Sequence, residues 1–138
     1  MHLQHIRQFP APIDFPAFVI IGNPENRRVQ FFQEALQQAQ QETALLIPYL
    51  SILNGQCQLN ELINKGDIVR VESPGENFAV EQKILALGGL ENAHLLQDQR
   101  GRIYYPGIWF KGFSVLMASI AQQAPQVVWM NHPDDIVC

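Results

Sequence analysis

The run AFVIIG, residues 17–22, constrains the fold most. Six consecutive residues carry no polar side chain, and Val19, Ile20 and Ile21 are branched or bulky. A strand with one wet face alternates polar and apolar residues. A short continuous run such as this one fits a strand buried on both faces, as in a parallel sheet covered by helices. Gly22-Asn23-Pro24 ends it. The segment ENRRVQFFQEALQQAQQ then places Val29, Phe32, Leu36 and Ala39 at helical spacing, and Phe31 and Ala35 widen the stripe. The Gln37, Gln38, Gln40 and Gln41 cluster faces water on that helix.

The pattern repeats. TALLI, residues 43–47, reads as a second strand stopped by Pro48, and a short helical turn follows around Leu50, Ile52 and Leu53. LNELI, residues 59–63, is another short helix. DIVRVES supplies the third strand near residues 67–71, with Arg70 as its polar exception. ENFAVEQKILAL predicts a helix over 77–87, ended by Gly88-Gly89. Residues 90–104 read as a helical piece and a loop around Arg100-Gly101. Pro106 opens a helix over 107–122, Pro125 blocks its continuation, and VVWM, residues 127–130, is the fourth strand. Trp109 and Trp129 are expected in the core.

Strand–helix alternation with apolar strands predicts a small three-layer, doubly wound α/β domain with a parallel sheet of about four strands. Strand order 2-1-3-4 is favoured over 3-2-1-4. Either order gathers functional loops at the carboxyl ends of the strands. Those loops are GNPENRR, ESPGE and NHPDD. Residues 1–16, with three prolines and no continuous apolar core, read as an extended lead-in; 17–130 is the α/β domain.

Composition excludes other classes. A net charge of −4, with nine basic and thirteen acidic residues and no like-charge run, argues against nucleic-acid binding. Only Arg27-Arg28 and Arg100/Arg102 cluster. No stretch approaches the ~20 apolar residues of a membrane helix, and the N-terminus is not a signal peptide. Cys57 and Cys138 lie far apart without metal-ligand spacing, as expected of reduced thiols in the cytoplasm. Cys57 has no histidine nearby in sequence to activate it as a nucleophile.

The motifs are few. GNPENRR has neither the Gly-Lys-Ser/Thr of a phosphate loop nor the GxGxxG of a dinucleotide site. No GxSxG elbow occurs. Asn23–Arg28 can form an anion site, where a helix N-terminus and two guanidinium groups meet. It can equally be an N-cap, with Asn23 capping, Pro24 in the first turn, and the arginines solvated or paired with Glu72 or Glu76. Ser73-Pro74-Gly75-Glu76 fits the S-x-x-E capping box, and can also line a cleft at the end of strand 3. His132 and Asp134 could hold a metal, but one histidine beside two aspartates is a thin basis. Asn131 as a turn cap and His132 as a surface residue is the simpler reading.

FVIIGNPENRRVQFFQEAL, IVRVESPGENFAVEQKILALGG, GRIYYPGIWFKGF and WMNHPDDI together resemble the N-terminal region of a family of bacterial ATP-grasp proteins. The resemblance covers residues 17–137. It implies a Rossmann-like pre-ATP-grasp domain of an ATP-dependent carboxylate–amine ligase, inactive without its ATP-grasp module. It also implies that 131–138 begins a linker to that module. ATP and magnesium are implied for the full-length relative, with no cofactor or metal held by this chain. Carried over, the substrate-side candidates are Asn23, Arg27, Arg28, Ser73, Glu76 and Asn131, with an arginine orienting a carboxylate or phosphate and Glu76 holding an amine. The alternative is a free-standing module without catalysis that binds a small anion or a protein, including a homodimer through exposed apolar surface.

Overall fold

The computed structural model describes residues 17–99, 104–124 and 126–137. The lead-in at 1–16 and the loop at Arg100-Gly101 lie outside the described residues, as do Arg102 and Cys138. Strands β1 (Phe18–Gly22), β2 (Leu45–Pro48), β3 (Ile68–Val71) and β4 (Val128–Trp129) form one sheet in the order β2-β1-β3-β4. All three pairings are parallel. Helices α1 (Arg27–Gln38), α2 (Tyr49–Leu53), α3 (Leu59–Leu62), α4 (Phe78–Leu87), α5 (Pro106–Gln123) and α6 (Pro133–Val137) surround it, with a 3-10 turn at Ala93–Leu95. This is the Rossmann-like, three-layer architecture expected.

The continuous apolar run of β1 is explained by its two faces. Val19 and Ile21 join the larger core cluster with Tyr49, Ile84, Met117 and Ile120. Ile20 points the other way, into a smaller cluster with Val29, Leu36 and Ala44. Ile20 and Ile21 are both fully buried, each contributing about 1.5–3 kcal/mol by leaving water. Pairing continues through Gly22↔Pro48, so Pro48 is the last residue of β2 rather than its stop. Helix α1 buries a narrower stripe than its periodicity predicts: Val29 and Leu36 are buried, but Phe31, Ala35 and Ala39 are exposed. One helix covers this face of β1, so only the side directly over Ile20 is dry. The four clustered glutamines are exposed. Trp109 and Trp129 are half-buried against the larger core.

At the amino end of the sheet, Asp67 is buried and accepts backbone N–H bonds from Ala17 (3.1 Å) and Asn64 (2.8 Å). Helices α4 and α5 cross with their backbones in contact at Gly88 and Gly112. Helix α6 packs on α5, and its Ile136 and Val137 lie against the core. Among the described residues no helix is long and apolar enough to cross a membrane.

Candidate functional site

Three loops converge at the carboxyl edge, and side chains tie them together. Asn23 is buried and donates from Nδ2 to the carbonyl oxygens of Pro74 (2.9 Å) and Gly75 (3.2 Å). Asn77 Nδ2 returns the link by donating to Glu25 Oε1 at 2.7 Å. The loops after β1 and β3 therefore lie side by side. The third loop enters through Asn131, whose Nδ2 donates to the Val71 carbonyl (2.7 Å) while its Oδ1 accepts the Val71 N–H (2.9 Å). A side-chain amide thus continues the β3–β4 ladder beyond the last backbone pairing.

These bonds correct both capping expectations. Asn23 is turned inward and cannot cap α1; Pro24 and Glu25 form a turn closed by the Asn26 N–H on the Asn23 carbonyl (3.0 Å). The cap is Asn26, which accepts the Arg28 N–H at 2.8 Å. Ser73 and Glu76 likewise form no capping box. Ser73 Oγ accepts the Gly75 N–H (3.2 Å), Glu76 adopts a left-handed backbone (φ 67°), and Asn77 caps α4 through the Val80 N–H (3.0 Å). In both loops an asparagine immediately before the helix supplies the cap, Asn26 for α1 and Asn77 for α4.

Arg27, Arg28, Ser73 and Glu76 are all exposed on this edge. The Arg27 guanidinium lies 5.7 Å from the centre of the Phe31 ring, a cation–π contact. Neither arginine forms an ion pair among the described residues. Glu72, one of the two expected partners, pairs instead with Arg70, whose guanidinium also stacks 5.2 Å from the Phe32 ring. Arg70 and Glu72 stand two residues apart and so share one face of the strand. That spacing of opposite charges is the signal by which the pair could have been found in the sequence. The site further contains Tyr49, fully buried, whose hydroxyl donates to the Glu72 carbonyl. Gly22 sits in a tight place: a Cβ would stand 3.0 Å from Val29 Cγ2 and 3.2 Å from Glu72 Cβ, so those side chains would have to shift.

Burial, reinforced by the Glu72 carboxylate, pushes the Tyr49 phenol far above its usual range. Its folded pKa exceeds the unfolded value of about 10. The stability it contributes is therefore intact below about pH 10 and falls as pH rises further, by about 1.4 kcal/mol per pH unit. Urea unfolding of the wild type and Tyr49→Phe across the alkaline range should show this slope reduced by one proton in the variant. At neutral pH the variant should be about 1 kcal/mol less stable, for the lost hydrogen bond. Equal alkaline slopes would show that Tyr49 is not the titrating group.

Burial also raises the Cys57 thiol, which disfavours the thiolate a nucleophile requires. His132 Nδ1 accepts the Asp134 N–H at 3.1 Å and packs edge-on against Trp129. Among the described residues no group of three or more His, Cys, Asp or Glu is placed to hold a metal.

Fold and loops define the class: a Rossmann-like α/β domain whose loops meet at the carboxyl edge of a parallel sheet, beside the β1/β3 switch point. Comparison with protein-family models, with curated proteins and with solved structures gives no match.

Proposed function

We propose that this chain is the substrate-side N-terminal domain of an ATP-grasp-type carboxylate–amine ligase, acting with an ATP-grasp module that supplies the ATP and magnesium site. One observation carries the reading. Three of the four phrases that resemble that family contain GNPENRR, ESPGEN and NHPDD, and these segments are gathered and tied by side chains at one end of the sheet. In this arrangement Asn23 and Asn131 hold the loops in register. Arg27 and Arg28 are left to meet a substrate carboxylate or phosphate, and Ser73 and Glu76 to meet its neighbour, Glu76 receiving an amine. Glu76 is held in a backbone conformation uncommon for a side-chain-bearing residue, a cost that a functional position can justify.

A surface for the module is also at hand. Strand β4 forms the edge of the sheet, and Val128 (56% exposed) and Met130 (47%) leave an apolar strip along it. This strip supports docking of a neighbouring domain. The alternative, a free-standing anion-binding or self-associating module, would use the same strip as a dimer contact.

The test is titration of the isolated chain with succinate and with inorganic phosphate, followed by backbone amide NMR. Shifts should concentrate in 23–28 and 73–77, and Arg27→Ala or Arg28→Ala should weaken binding. Calorimetry with ATP and magnesium should show no binding tighter than roughly 10 µM, about −7 kcal/mol. Unchanged anion binding in both arginine variants, or tight ATP binding by this chain alone, would overturn the proposal. A dimer in sedimentation that is broken by Val128→Lys would favour the free-standing module.

A further inference from the structure

A cavity of about 320 Å³ opens between α4 and the start of α5, and none of Asn23, Arg27, Arg28, Ser73, Glu76 and Asn131 lines it. Phe78, Glu81 and Leu85 line it from α4, Trp109 and Phe110 from the start of α5, and Tyr104 from the segment just before it. Its volume lies at the lower end of the range of small-molecule sites, about 300–1,000 Å³. Its walls are set. The Phe78 and Tyr104 rings meet edge-to-face at 6.5 Å, and the Tyr104 hydroxyl is anchored on the Gln97 carbonyl at 2.8 Å. Trp109 stacks on Phe113 at 4.9 Å, which fixes the indole from behind.

Into this aromatic pocket projects one carboxylate, that of Glu81. It has no hydrogen-bond or ion-pair partner among the described residues. Glu81 stands in the first turn of α4, where the helix dipole favours negative charge. Even so, burial and then the nearby Asp98 carboxylate raise its pKa. Among the described residues the local field is therefore negative, and aromatic ring faces carry the negative side of their quadrupoles.

We propose that this pocket binds a small organic ammonium ion, with its charge against Glu81 and the aromatic faces and its apolar body against Leu85. The chemistry excludes simpler occupants. A neutral apolar ligand would bury the carboxylate without a partner, at a cost. A hard metal ion would need several oxygen ligands, and the pocket lining supplies one carboxylate. An ammonium satisfies both features, since cation–π attraction strengthens as the ion is desolvated.

The inference is independent of the three-loop reading, because it shares none of that site's proposed ligand-contacting residues. Its test compares phenethylammonium with 2-phenylethanol, a neutral analogue of similar shape, by calorimetry on the full chain. The ammonium should bind at least about tenfold tighter, a difference of about 1.4 kcal/mol. Glu81→Gln should abolish that preference without changing alcohol binding. Phe110→Ala, at an exposed position where folding is not at risk, should weaken the ammonium severalfold. Equal affinity for the two ligands, no saturation with either at millimolar concentrations, or unchanged ammonium affinity in either variant would overturn the proposal.

Discussion

Replacing Gly112 by alanine is expected to destabilise the protein by about 3 kcal/mol and to lower its melting temperature by about 10 °C. A Cβ at Gly112 would fall on the carbonyl oxygen of Ile84 and stand 2.9 Å from the Gly88 nitrogen. Both obstacles are helix backbone, which cannot rotate away as a side chain can. The helices α4 and α5 would have to separate, opening the core that Ile84, Leu116 and Met117 fill. Intrinsic preference argues the other way, since alanine favours a helix over glycine by about 1 kcal/mol. The control is Gly107→Ala in the same helix, where nothing lies within 4 Å of the added carbon. That variant should be unchanged or up to about 1 kcal/mol more stable. Thermal melts of the two variants should thus move in opposite directions or differ by several degrees. A Gly112→Ala melt that matches the wild type would mean that the helices do not cross here.

The second large effect concerns Asn23. Asn23→Asp keeps the shape but replaces the donor on Pro74 and Gly75 with an oxygen facing two carbonyl oxygens. Burial and these acceptors disfavour the charged form, so the folded pKa of the new carboxyl must rise above its unfolded value of about 3.9. A raised folded pKa means the penalty is small at low pH and grows as pH increases past the unfolded value. The growth is about 1.4 kcal/mol per pH unit until the folded pKa is reached. At pH 7 the variant should be less stable than the wild type by about 3 kcal/mol or more. Asn23→Ala should cost about 1–3 kcal/mol for the carbonyls left unpaired, with no added pH dependence. Urea denaturation at several pH values separates the two. A flat profile for Asn23→Asp would show that its side chain has escaped to water and that the loops are not joined through this position.

The elements were legible in the sequence because each is dictated locally. AFVIIG has no polar residue to place in water, and Pro106 followed by apolar residues at helical spacing leaves α5 no other conformation. The strand order was reached by the same means, since a parallel sheet of alternating strands and helices has few arrangements. The caps are not legible in this way, because sequence proximity alone does not show which polar groups meet. Asn23 stands next to Pro24 and looks like a cap, but its partners Pro74 and Gly75 lie 51 and 52 residues away. Asn131 reads as a turn residue until parallel pairing brings it to Val71, 60 residues back.

What the sequence determined by itself is thus the alternation of buried strand and amphipathic helix, because solvent and backbone geometry act on every residue wherever its neighbours are. What only the tertiary structure decided is which polar groups meet. Arg70, an exception in an apolar strand, became the partner of Glu72 under Phe32 because β3 turns those two side chains to the face that α1 covers. Glu81 entered an aromatic pocket because the crossing at Gly88 and Gly112 brings the first turn of α5 over α4. Both outcomes depend on register and helix approach, which follow from packing between segments far apart in the chain.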